Sequence, residues 1–260
     1  MRKQIQLLCL LFLCVITAGA QDLNLYQKHL YISGNDTLPY RLLLPDNYDA
    51  SKKYPLIYFL HGAGERGNDN ELQLVHGAKL FLKEDIRKRF PAIVVFPQCP
   101  SNSFWSNVNF IKDSSGKRTF LFQQMGEPTI AMKMAEELLI NIIKSYPVIN
   151  KQIYVGGLSM GGMGTFEIVR RNPKLFAAAI PICGGGNTAT ARSLKKAKWW
   201  VFHGAKDDVV PPQLSEEMVN ALKKEKATVK FTLYPNANHN SWDMAFAEPD
   251  LLSWLFAQKR

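Results

Sequence analysis

The chain contains no His-Glu-x-x-His pair, no paired Cys-x-x-Cys and no glycine-rich loop closing on Gly-Lys-Ser/Thr. The first two spacings hold zinc and the third cradles nucleotide phosphates. Neither a metal nor a nucleotide is therefore expected, and the chemistry must come from the chain's own side chains. Internal repeats and low-complexity linkers are missing as well, and composition does not shift after residue 20. Long hydrophobic runs are also absent. The apolar stretch Leu7–Ile16 falls short of the roughly 20 residues that a spanning helix needs, so no integral membrane segment is expected in the mature chain. That stretch follows Arg2 and Lys3 and precedes Thr17-Ala18-Gly19-Ala20. A charged start, an apolar middle and an Ala-x-Ala end read as a secretory signal over 1–20. The mature chain would begin at Gln21 and be secreted or periplasmic.

Cysteine is scarce, with 4 residues in 260. Cys9 and Cys14 would leave with the signal, and Cys99 and Cys183 remain. Export permits a disulfide, but the two cysteines follow different strands of an expected parallel sheet. Two other strands should separate them, roughly 14 Å at the usual strand spacing, too far for a direct bridge. Two free, partly buried thiols are expected. The net charge is +10. Its basic runs, Arg87-Lys88-Arg89, Lys195-Lys196 and Lys223-Lys224, fall on apparent loops and helix faces without a nucleic-acid motif, which points to solvated surface. Nucleic acid is not an expected partner, and the sequence is silent on oligomeric state.

What is present is a regular alternation of strands and helices. Tyr26–Ile32 and Leu38–Leu44 pattern as a hairpin around Ser33-Gly34-Asn35-Asp36. Tyr54–Leu60, Ala92–Phe96, Ile153–Val155, Phe176–Ile182 and Lys198–His203 are apolar runs suited to strands buried on both faces. Thr228–Tyr234 alternates as a last strand. Helices are expected over 71–83, from Pro128 to about Lys144, from the glycines after Ser159 to Arg171, over 214–224 and over 242–256. The stretch 99–124 has no period and reads as a long loop of the kind that is functional or mobile. Such alternation predicts one α/β domain over 21–260, a mostly parallel sheet with helices on both faces and an antiparallel hairpin at its start.

The stretch Ile153-Tyr154-Val155-Gly156-Gly157-Leu158-Ser159-Met160-Gly161-Gly162 contains Gly-x-Ser-x-Gly between a strand and a helix. In that context a sharp turn lifts the serine hydroxyl clear of the sheet, and flanking side chains would collide with neighbouring backbone. Serine alone is a poor nucleophile at neutral pH; it needs a base, and the base needs an orienting carboxylate. Of the five histidines, only His239 lies in a loop after the last strand. His29, His76 and His203 suit surface or structural roles, and His61 would brace the loop it opens. Asp207 follows an earlier strand, with Asp208 beside it as the alternative.

Four stretches together resemble the α/β-hydrolases, and among them small secreted esterases of the phospholipase/carboxylesterase and carbohydrate-esterase (feruloyl and acetylxylan esterase-like) type. They are Leu60-His61-Gly62-Ala63-Gly64-Glu65-Arg66-Gly67, Gly157–Gly162, His203-Gly204-Ala205-Lys206-Asp207-Asp208-Val209-Val210-Pro211 and His239-Asn240-Ser241-Trp242-Asp243. The resemblance implies an α/β-hydrolase fold, Ser159 as nucleophile, His239 as base and Asp207, the fifth residue of His-Gly-x-x-Asp, as acid. It also implies backbone oxyanion donors at Ala63 and Met160, a Glu65–Arg66 salt bridge bracing the first loop, with a substrate contact by Arg66 as the lesser alternative, and no cofactor. Trp105 and Trp242 are candidates for an aromatic wall around the substrate, with packing of their loops against the core as an equal alternative. The partner implied is a small-molecule or polysaccharide-linked ester, feruloyl and acetyl esters among them. A serine peptidase of the prolyl-oligopeptidase-like class would use the same three residues, but such enzymes carry a large gating domain that this sequence lacks. A catalytically inactive binding module on this fold is a further reading, against which the intact Ser, Asp and His stand.

Overall fold

A computed structural model describes residues 22–114 and 118–260; the expected signal over 1–20 lies outside the described residues. Among the described residues ten strands are seen: β1 Gln27–Ser33, β2 Asp36–Leu43, β3 Tyr54–Leu60, β4 Ile93–Pro97, β5 Val108–Lys112, β6 Arg118–Phe122, β7 Val148–Leu158, β8 Ala178–Ile182, β9 Lys198–Gly204 and β10 Val229–Tyr234. The α-helices are α1 Glu84–Arg89, α2 Ile130–Ser145, α3 Met160–Arg171, α4 Ala191–Leu194, α5 Gln213–Lys224, α6 Trp242–Ala247 and α7 Leu251–Ala257. Eight strands form one mixed sheet in the order β1-β2-β4-β3-β7-β8-β9-β10, antiparallel at β1/β2 and β2/β4 and parallel from β4 onward.

The apolar strands sort their side chains by alternation. Tyr58, Leu60, Val95 and Val201 face a core built with α2, α3 and α5. Ile57, Phe59, Val94 and Phe202 face the opposite core, closed by α6, α7 and the turns before α1. Every residue of β3, β4 and β8 is buried, which is why these runs show no polar alternation in sequence. The order also sets β3 and β7 between β4 and β8. Cys99 and Cys183, which follow those outer two strands, are both free and buried.

Four expectations about elements are corrected. The single helix over 71–83 is instead two 3-10 turns, Leu72–Leu74 and Ala78–Leu82. Gly77 between them sits at φ 83, a left-handed geometry that interrupts any helix. The final helix breaks into α6 and α7 at Glu248-Pro249-Asp250, because Pro249 has no N–H to continue the ladder. The long loop 99–124 contains the β5/β6 hairpin, a separate two-stranded sheet. Helix α2 starts at Ile130, not Pro128, with the Thr129 hydroxyl accepting the Met132 N–H.

At the join of β7 to α3 backbone packs directly on backbone. A Cβ on Gly161 would lie 1.9 Å from the Leu60 carbonyl oxygen, and one on Gly157 would lie 2.3 Å from the Gly161 oxygen. Backbone must therefore pass against backbone here. Gly161→Ala is expected to cost at least about 1–3 kcal/mol through overpacking, read as a fall in the urea midpoint. Gly64→Ala, where nothing lies within 4 Å of the added carbon, is the matched control and should leave the midpoint in place.

Candidate active site

Ser159 is held between β7 and α3 at φ 54 and ψ −116, outside the regions that non-glycine residues favour. Its own N–H donates to the Ile182 carbonyl at 2.9 Å, fixing the turn against β8. Met160 is the first residue of α3, so its N–H has no carbonyl a turn earlier within the helix and points out from the positive end of the helix dipole. Ala63 begins a 3-10 turn directly after β3 and lines the same cleft as Ser159 and Met160.

His239 comes from the loop between β10 and α6. Its Nε2 lies 3.0 Å from Ser159 Oγ, and its Nδ1 lies 2.8 Å from Asp207 Oδ2. Asp207 comes from the loop after β9 and is buried, while the neighbouring Asp208 is exposed and engages Asn238 only through its backbone N–H. The other Asp207 oxygen accepts the N–H groups of Val209 and Val210, each at 2.9 Å. Burial by itself would raise this carboxyl. The hydrogen bonds from His203, His239 and Val210 outweigh that and hold it well below the usual carboxylate range. Asp207 is thus ionised at neutral pH and fixed in orientation.

His203 was expected to be only a structural hydrogen-bonder at the end of β9. It does bond Val210 O at 2.9 Å and Ser215 Oγ at 2.7 Å, but its Nε2 also lies 3.2 Å from Asp207 Oδ2. The carboxylate therefore faces two imidazoles. The signal was present in the i, i+4 spacing of His203 and Asp207 around Gly204, a turn that returns the chain past the end of β9.

His61 braces the first loop as expected. Its Nε2 accepts the Cys99 N–H at 2.9 Å, so Nδ1 carries the ring proton and donates to Gly62 O at 2.6 Å. Burial pushes this ring down to about 4. With its folded pKa below the unfolded value, His61 contributes stability above about pH 6.5 that is lost as pH falls toward 4. The expected loss is about 3 kcal/mol across that window, seen as the pH dependence of the urea midpoint. His61→Asn, which keeps an acceptor for Cys99, should flatten the dependence.

Two further expectations are corrected. Glu65 and Arg66 do not pair. Arg66 instead donates to the carbonyls of Ala63 at 3.0 Å and Ser103 at 3.2 Å, while the Glu65 carboxylate turns toward His76 at 3.7 Å and His61 at 4.0 Å. Trp105 is no aromatic wall: it is fully buried, its Nε1 donates to the His61 carbonyl, and its ring packs edge-on to His61. Its bulk went to loop packing because its indole N–H found a buried carbonyl. Trp242 does stand beside the site, edge-on to the His239 ring at 5.4 Å and tilted against His76 at 5.0 Å.

A cleft of about 400 Å³ is lined by Ser159, Met160, Met163, Val209 and Val210 together with Phe104 and the β5/β6 hairpin. The hairpin's contribution was missed in the sequence, because 99–124 shows no long period. The alternation within 108–112 is too short to stand out among its polar neighbours.

Residues 33–240 match the model of the esterase family described as “Putative esterase”. The chain belongs to this family. This esterase is thus a carboxylic ester hydrolase. It is 25% identical over 217 residues to “Probable feruloyl esterase C” of Aspergillus oryzae, covering 81% of this chain and 72% of the relative. A crystal structure of a thermostable esterase is 33% identical with a TM-score of 0.80; the match covers 91% of this chain and 64% of that one. A ferulic acid esterase from Anaeromyces mucronatus, solved with ferulic acid, shares the fold at a TM-score of 0.64 and 16% identity, over 90% of each chain. The esterase's sheet, with helices on both sides and the β1/β2 hairpin at its edge, is that of the α/β-hydrolases.

Proposed function

We propose that this esterase works through Ser159, His239 and Asp207 by way of an acyl-enzyme. The observation that carries the reading is the placement of one imidazole between the other two groups, 3.0 Å from the hydroxyl and 2.8 Å from the carboxylate. Ser159 Oγ attacks the ester carbonyl while His239 Nε2 takes its proton, and Asp207 stabilises the imidazolium that results. The N–H groups of Met160 and Ala63 donate to the carbonyl oxygen as negative charge develops on it, an interaction that commonly supplies the largest single share of rate. His239 returns the proton to the departing alcohol, then activates the water that releases the acid. The steps use side chains and backbone of this chain and require no cofactor.

Feruloyl and acetyl esters of polysaccharides are the proposed substrates. Relatives named as feruloyl esterases and a cleft lined by Phe104, Phe110 and Phe120 support an aryl acyl group. Arg2, Lys3, the apolar run and Ala20 support export to where such polysaccharides occur. The sheet running without a break from β1 to β10 supports 21–260 as one domain.

The test is turnover by the purified 21–260 chain of p-nitrophenyl acetate, p-nitrophenyl octanoate, methyl ferulate, acetylated xylan and a proline-site peptide anilide. Cleavage of methyl ferulate or acetylated xylan is expected, with the octanoate slower than the acetate. Cleavage of the anilide and none of the esters would move the protein to the peptidases and overturn the proposal.

A further inference from the structure

The cleft that holds Ser159 combines two features. Phe104, Phe110 and Phe120 form a continuous aromatic strip, with edge-on ring contacts at 5.2 and 5.3 Å. Phe110 nonetheless leaves 44% of its surface exposed. Alongside the rings stand three cations, Arg66, Lys112 and Arg118, lining the same cleft.

Arg66 donates to two backbone carbonyls and lies 5.9 Å from the centre of the Phe104 ring. Among the described residues none of the three forms an ion pair, whereas Arg87, Arg170 and Arg171 each have a carboxylate partner. Lys112 and Arg118 are direct cross-strand partners on the hairpin, and like charges in that register oppose the pairing. Glu65, adjacent to Arg66 in sequence, points instead at His61 and His76. Exposed aromatic surface and positive charge without an ion-pair partner among the described residues thus line one cleft together with Ser159.

We propose that this cleft selects aromatic esters that carry a carboxylate. The ring would lie on Phe104, Phe110 and Phe120, with the carboxylate at Arg66, Lys112 and Arg118. The inference rests on Ser159 being the reacting group in the cleft, and it adds the charge of the substrate to that reading. The carboxylate can belong to the acid part, as in a half-ester of an aromatic dicarboxylic acid, or to the alcohol part, as in an ester of a hydroxybenzoate.

Binding to the Ser159→Ala protein separates this from catalysis. Calorimetric titration would compare monomethyl terephthalate with its neutral isostere methyl 4-carbamoylbenzoate, and 4-acetoxybenzoate with 4-acetoxybenzamide. Roughly tenfold tighter binding of the charged member is expected at low salt, the gain of one charge-assisted contact. Preference in the first pair places the carboxylate on the acid part, and preference in the second places it on the alcohol part. The ratio should shrink toward one near 1 M salt, where screening acts within about 3 Å. It should also shrink in Lys112→Gln/Arg118→Gln. Equal affinities in both pairs, or a preference indifferent to both salt and the double variant, would overturn the inference. The same pairs run as substrates of the unaltered enzyme report on the other reading. Charge-selective binding without hydrolysis would sink the catalytic proposal alone, and hydrolysis without charge selection would sink only this one.

Discussion

Ser159→Ala is expected to lower kcat for ester hydrolysis by about 10⁶-fold, the scale seen when a triad serine is removed. Ser159 sits at φ 54, and alanine carries the same Cβ, so the backbone strain is unchanged by the substitution. The residue's N–H bond to Ile182 O belongs to the main chain and also survives. The variant should therefore melt within a few degrees of the parent, while the hydroxyl 3.0 Å from His239 is gone. A hydrolysis rate retained within tenfold would mean that the esterase reaction runs elsewhere in the chain.

Asp207→Asn should cost about 10⁴ in kcat. The carboxylate accepts the His239 Nδ1–H at 2.8 Å and so leaves Nε2 free to take the serine proton. An asparagine amide turned toward Nδ1 would donate instead, which selects the tautomer with its proton on Nε2 facing Ser159. Asparagine keeps an oxygen for the N–H groups of Val209 and Val210, so the loop need not move. Asp208→Asn removes a charge of the same sign one residue away from an exposed side chain and should change kcat by less than about threefold. The pair of variants separates a positioning effect from a field effect. Stability carries a second signature. Asp207 has its folded pKa depressed, so its contribution is present above about pH 4 and is lost as pH falls. Asp207→Asn should lack that acid-side loss, measured as the urea midpoint against pH.

The parts of this account that were legible in the sequence are those where one local rule dominates. Strands β3, β4 and β8 announce themselves because burial on both faces demands unbroken apolar runs. The Ser159 turn is legible because glycine is the only residue that fits where α3 crosses the Leu60 carbonyl. Asp207 and His239 follow from their places after β9 and β10, since loops at that end of a parallel sheet converge. What was not legible depended on contacts between distant segments. Trp105 could have faced substrate or core, and the choice fell to the His61 carbonyl 44 residues away in sequence. Glu65 and Arg66 look like an ion pair when adjacent in a string, but His76 and the Ser103 carbonyl draw them to opposite sides. The β5/β6 hairpin hides in a polar stretch because its strands are short and largely exposed, and its rings pack on one another rather than into either main core.

The central claim is that Ser159 is the nucleophile, and its most direct test is covalent capture. The purified 21–260 chain would be treated with a fluorophosphonate, with and without excess methyl ferulate, and the adduct located by intact mass and peptide mapping. The account predicts a single phosphonyl group on Ser159, slowed by the ester. A protein that stays unlabelled, or that carries the label on any other residue, would contradict it.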